Sequence, residues 1–219
     1  DGLRDVLAKL VAGGGDFATS NELVRAPGTT HRLLAFIEAD SGTDIAVLLL
    51  SAQLLQQALR RCPLDDLPAD FFHRLLDVLR AAASNTSLGL VCTQLALAAT
   101  VLVLRSISLP AEQILPSLSG ALQGHALLAV LTLLAEELHA PSSKISYSPQ
   151  RAAEIRDALR RGSAAVLAGL DEWGGGGGAG GGGAADHLTS LRCGVAWCTA
   201  GLVSADAAAT SAVLTSRAA

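Results

Sequence analysis

Apolar residues return at intervals of three and four along almost the whole chain, in one short segment after another, and scarcely ever alternate with polar ones. That spacing places them on one stripe of a helix, whereas a half-buried strand needs a period of two. The clearest stripe is Ile45, Leu48, Leu49, Ala52, Leu55 and Leu59, with Arg60 and Arg61 in its last turn, where positive charge complements the helix dipole. Ser41-Gly42-Thr43 breaks the chain ahead of it, with Thr43 as the expected cap, and Pro63 closes it. Composition points the same way. Half of the residues are apolar but only 3% are aromatic, so Leu, Ala and Val predominate and few rings are present to fill a broad sheet core. Leu and Ala are strong helix formers suited to stacked helices. The fold class expected is all-α.

Further helices are expected on Leu3, Val6, Leu7 and Leu10, over residues 19–25, and over 31–38 with Leu33, Leu34 and Ile37 inward. The next opens with Pro68 in its tolerant first turn and turns Phe72, Leu75, Leu76 and Leu79 inward. Residues 86–105 follow, then a short helix from Ala111 to Gly120 disturbed by Pro116, then 122–139. Ser148 and Pro149 read as cap and first residue of one long helix over 150–173 with Ile155, Leu159, Val166 and Leu170 inward and an Asp157–Arg161 pair on its wet side. Residues 188–202 form another, and 205–219 begin one more. Leu95 and Leu131 are expected core residues.

Several function classes recede on the sequence alone. The net charge of −4 has the wrong sign for a protein that grips phosphates, so no direct nucleic-acid binding is expected. Cys62, Cys92, Cys193 and Cys198 form no C-x-x-C pair, and Cys193 and Cys198 fall on different helix faces, which argues for free buried thiols rather than a metal site. The histidines His31, His73, His125, His139 and His187 are scattered, and no zinc-protease, nucleophile-elbow or phosphate-loop pattern occurs. Glu136-Glu137 and Asp65-Asp66 are neighbours that point apart, poor material for acid–base catalysis. No catalytic residue, metal or cofactor is expected; the chain reads as a non-enzyme. Asn85-Thr86-Ser87 fits a glycosylation sequon but reads more simply as a helix cap. The uncharged run over 88–104 is shorter than the ~20 residues of a spanning helix and carries Thr93, Gln94 and Thr100, so no membrane insertion is expected.

About ten helices in pairs of about 40 residues is the period of HEAT and armadillo arrays. In these, each pair buries its apolar face only by stacking on its neighbours. Residues 1–173 are assigned to such repeats. Residues 174–184 are nearly all glycine, without the Lys-Ser/Thr ending of a phosphate loop, and read as a flexible, dispensable insertion; residues 185–219 start the next repeat. A chain that opens on Asp1 and holds no methionine is expected to be either a fragment or an incompletely resolved chain.

Four blocks carry a family resemblance. Ser51-Ala52-Gln53-Leu54-Leu55 through Arg60, followed by Leu64-Asp65-Asp66-Leu67-Pro68, resembles the signature of the N-terminal repeats of importin-β relatives. Thr93-Gln94-Leu95-Ala96-Leu97-Ala98 resembles a helix of the transportin-SR and importin-thirteen branch, as does the run from Leu127 to Glu137. Leu191-Arg192-Cys193 with Trp197 and Gly201 is similar to a later helix of that branch. The blocks fall in the family's order. The chain departs from the pattern at Thr30-His31, where the family has Ala-Trp, and at Ala135, where it has proline.

This likeness to nuclear transport receptors of the importin-β superfamily implies a right-handed superhelix of HEAT repeats, with an importin N-terminal-like region over about residues 1–84. It implies a receptor shuttling between cytoplasm and nucleus, with three kinds of partner: Ran-GTP on the inner helices of the first repeats, Phe-Gly nucleoporins in grooves between outer helices, and protein cargo, including Arg/Ser-rich splicing factors. Inner helices assigned to residues 28–40 and 67–83 carry Glu38, Asp40, His73, Asp77 and Arg80 outside their apolar stripes, and these are the candidate Ran contacts. Neither Glu38 nor Asp77 is expected to be needed for folding. An export receptor of the same superfamily, or a HEAT scaffold indifferent to Ran, would share much of this pattern.

Overall fold

The computed structural model of the protein describes residues 2–13, 17–39, 44–64, 66–142, 145–174, 184–204, 207 and 211, without the side chains of 17, 171–174 and 184–187. Among the described residues there are eleven α-helices, one 3-10 turn and no strand. The all-α expectation therefore holds. The helices are α1 (Gly2–Val11), α2 (Phe17–Arg25), α3 (Thr29–Ala39), α4 (Ile45–Arg61), α5 (Phe71–Ala83), α6 (Gly89–Arg105), α7 (Ala111–Ala121), α8 (Gly124–His139), α9 (Pro149–Arg161), α10 (Ser163–Gly174) and α11 (Ala184–Thr199). They form two compact units, Asp1–Leu102 and Val103–Ala219, so the division falls inside α6. Most of the glycine tract, residues 175–183, lies outside the described residues, as do Thr43 and nearly all of 205–219; Gly174 ends α10 and Ala184 already belongs to α11.

In the first unit α4 packs against α1, α2 and α3, and α3 in turn against α2 and α5. The cap of α4 is Asp44, whose carboxylate accepts the Ala46 N–H at 2.9 Å. The buried side of α4 is broader than the predicted stripe. Val47, Leu54 and Ala58 join Leu48, Ala52, Leu55 and Leu59 in the core, while Ile45 is 45% exposed. A helix flanked by three others needs more than a single stripe, which explains the difference. Ser51 is tolerated inside because its hydroxyl donates to the Val47 carbonyl at 2.7 Å.

Helix α5 starts later than predicted. Pro68 lies in a turn ahead of it, its carbonyl accepting the Phe71 N–H at 3.0 Å, and Asp70 occupies the cap position. Phe71, Phe72, Leu75, Leu76 and Leu79 are its buried face. Asn85 then caps the 3-10 turn Thr86–Leu88, its side-chain oxygen accepting from the Ser87 N–H at 3.1 Å.

Residues Thr86–Arg105 are long and apolar enough to cross a bilayer by length and composition, yet 61% of the apolar window is buried inside the protein. A core helix gives the same hydropathy signal. Leu95, Ala96, Ala98 and Ala99 are fully buried, and Thr100 returns its hydroxyl to the Ala96 carbonyl at 2.9 Å. Leu95→Ala should destabilise by about 2–5 kcal/mol, through lost burial and the cavity left behind. Urea unfolding measures it; a change under ~0.5 kcal/mol would place that side chain at a surface.

In the second unit α7 packs on α9, α8 on α11, and α10 on both α9 and α11. The one long helix predicted over 150–173 is two. Gly162 ends α9 with its N–H shared between the Ala158 and Leu159 carbonyls, and α10 restarts at Ser163. Glycine at this position also leaves room for α7, since a Cβ on Gly162 would come 2.2 Å from Cδ2 of Leu115. The predicted inward residues Ile155, Leu159, Val166 and Leu170 are all buried, because both halves keep the same apolar period. Ser148 caps α9 as expected, accepting the Arg151 N–H at 3.0 Å. Asp157 pairs with Arg160 at 3.6 Å rather than with Arg161.

Two long side chains tie this unit together. Arg151, 6% exposed, donates from one guanidinium nitrogen to the Val103 carbonyl at 3.2 Å, in the last turn of α6, and to the Leu109 carbonyl at 2.7 Å. Glu154 lies 3.6 Å from its other terminal nitrogen. Trp197 on α11 is wholly buried and donates its indole N–H to the Leu131 carbonyl of α8 at 3.2 Å. Just past the end of α11, Gly201 has a φ of +65°, the left-handed conformation that lets the Leu202 N–H return to the Trp197 carbonyl.

Candidate interaction site

Of the five candidate contacts, Asp40 lies outside the described residues. The other four fall on two helices that pack together, α3 and α5. His73, Asp77 and Arg80 recur at i, i+4 and i+7, which puts them on one exposed side of α5. Glu38 is on the last turn of α3.

Glu38 and Asp77 line the same cleft, of about 400 Å³. Its apolar wall comes from Ile37, Leu48, Val78, Ala81, Leu88 and Val91. The polar candidates thus stand at the edge of an apolar recess rather than on a uniformly charged face. His73 and Arg80 are not among its lining residues; the ring of His73 meets that of Phe72 edge-on, with centroids 6.0 Å apart.

The two carboxylates differ in how they are held. Asp77 pairs with Arg80, one turn along the same helix at 2.7 Å, and both side chains are 59% exposed. An exposed i,i+3 pair of this kind contributes little and exchanges readily with solvent. Glu38 is gripped by Arg74 of α5: Nε donates to Oε1 at 2.9 Å and a terminal nitrogen donates to Oε2. The hydrogen bonds to Glu38 push the Arg74 guanidinium above its ordinary range, the result expected for a two-point ion pair. His31 on α3 also lies 3.5 Å from Arg74.

Glu38 thus has a structural contact as well as a candidate binding role. It fastens α3 to α5, and Arg74, which sequence reasoning passed over, is its partner. The two are 36 positions apart with no local pattern to announce them. The recess itself was equally invisible, since Ile37, Val78 and Leu88 look like ordinary core positions in sequence.

A second groove, also of about 400 Å³, runs between α8 and α11 in the second unit. Leu188, Leu191, Val195 and Ala196 supply its apolar side, and Arg192 pairs with Glu136 at 3.0 Å across it.

Among the described residues no three His, Cys, Asp or Glu side chains come together as they would around a metal. Burial pushes the thiols of Cys92 and Cys198 up and that of Cys193 up to about 12, opposite to what a nucleophile or metal ligand requires. No family model matches the chain, and no curated protein is significantly similar to it.

Proposed function

We propose that the chain is a HEAT-type array acting as part of a nuclear transport receptor, and that its first repeats bind the GTP form of Ran through α3 and α5. The carrying observation is that Glu38 and Asp77, named from the family resemblance alone, line one cleft between packed helices. The packing of alternate helices supports the HEAT assignment. In the first unit α2 lies on α4 and α3 on α5; in the second α7 lies on α9 and α8 on α11, with α9 and α10 counted as one interrupted arm. Stacked helix pairs produce that order, each element resting on its counterpart in the next repeat.

On this reading Asp77 is the carboxylate available to a cation on Ran, while Glu38 positions α3 and α5. Phe-Gly nucleoporins and protein cargo are the remaining partners, and the protein shuttles between cytoplasm and nucleus. Import and export receptors share these parts of the array.

A pull-down with Ran loaded with GTP or GDP tests the receptor assignment: capture of the GTP form alone supports it, and indifference to nucleotide favours a Ran-independent scaffold. The site is tested separately with Asp77→Lys, which should melt with the native protein. Its association with Ran-GTP should slow several-fold at low salt, with the difference shrinking as salt rises. Unchanged association would move the contact to another face.

A further inference from the structure

We infer that Ser148 is a phosphorylation site, modified by an ATP-dependent kinase that requires proline after its target serine. Seven prolines are spread over the sequence, and Pro149 is the only one that follows a serine or a threonine. Ser148 is exposed, and its φ of −76° and ψ of 149° are extended, the conformation that a following proline favours. The approach to it is anchored from beneath. Ile145 is buried, and the half-buried Tyr147 donates its hydroxyl to the Glu137 carbonyl at 3.1 Å. Ser146 and Ser148, at the alternate positions, are turned to solvent.

The Ser-Pro pair selects the enzyme. Proline brings no N–H, so it suits an apolar pocket in which any other residue would leave a backbone donor without a partner. Arg151 takes no part in the recognition, because it is turned inward on the Val103 and Leu109 carbonyls. In the transfer the Ser148 Oγ attacks the γ-phosphorus of ATP. The new O–P bond forms as the bond to the β,γ-bridging oxygen breaks, the hydroxyl proton passes to a carboxylate of the kinase, and ADP leaves. Capping α9 does not use that proton, since Oγ is the acceptor of the Arg151 N–H at 3.0 Å. The product remains a cap: phosphate oxygens take over the acceptor role at a helix start, where negative charge is favoured. The native fold therefore accommodates the modified serine. The inference does not rest on Ran binding, which involves the other unit.

Incubating the native full chain with ATP and a purified proline-directed serine kinase, then mapping the product by mass spectrometry, tests it. A phosphate at Ser148 is expected. Ser148→Asn keeps a capping side chain but offers no hydroxyl, so no phosphate should appear there, while Ser146→Ala should be modified at the native rate. Pro149→Ala leaves a good helix former at the first position of α9 and should be modified about tenfold more slowly or worse. The modified protein should melt no lower than the unmodified one. A chain that takes no phosphate at Ser148, or takes it only once urea has unfolded it, overturns the inference. So does modification indifferent to Pro149→Ala. A fall in melting temperature overturns it as well, because the phosphate would then be at odds with the native start of α9.

Discussion

Trp197→Ala should lower the stability of the protein by about 3–5 kcal/mol, as large-to-small changes of a buried aromatic do. Among the described residues the ring is the largest wholly buried side chain, and it fills the contact between α8 and α11. Its indole N–H also reaches the Leu131 carbonyl, which lies in the middle of α8. Trp197→Phe separates the two contributions. It keeps most of the apolar filling and gives up the hydrogen bond, a net loss of about 1 kcal/mol from that bond plus a smaller cavity cost. Urea unfolding of both variants measures the difference. A loss below about 1 kcal/mol for Trp197→Ala would mean that α8 and α11 are not held through this ring.

Arg151→Ala should cost a similar amount, about 3–5 kcal/mol, for a different reason. The guanidinium sits where α6 ends and answers carbonyls at Val103 and Leu109. Removing it leaves acceptors facing a buried space, each at about 1–3 kcal/mol. It also takes a positive charge away from a helix C-terminus. The charged form is already under strain from burial: its Nε is enclosed without a partner, and desolvation pulls the guanidinium below its ordinary range, with Glu154 acting in the opposite direction. Arg151→Met preserves the stem while removing every donor, so it should remain nearly as damaging. If Arg151→Met proves close to native in guanidinium unfolding, packing of the stem rather than the carbonyl contacts holds this corner.

Helix identity was legible in the sequence because it depends on local spacing. Ile155, Leu159, Val166 and Leu170 are all inside, and Ser148 caps where a Ser-Pro pair before an apolar period should. The break between α9 and α10 was missed because the apolar period continues through it, although Arg160 and Arg161 followed by Gly162 are a helix-stop signal in their own right. What no local pattern records is the closeness of Gly162 to Leu115, a residue 47 positions earlier. The same limit governs the site. Asp77 and Arg80 could be paired from their spacing, whereas the Glu38–Arg74 tie is created only when α3 and α5 pack. Choosing Glu38, His73, Asp77 and Arg80 from sequence relied on the family resemblance; composition and periodicity alone would have left them as solvated helix surface.

The thiols give each half of the molecule its own reporter of opening. Cys92 lies in the first unit at 3% exposure and Cys193 in the second at 0%, and burial disfavours the reactive thiolate of both. Alkylation of either therefore counts only molecules in which that region has come apart, in the manner of hydrogen exchange at a protected amide. Labelling rates at the two positions, followed together in mild denaturant, tell whether the halves open as one cooperative event or in sequence. No residue need be added or replaced to ask the question.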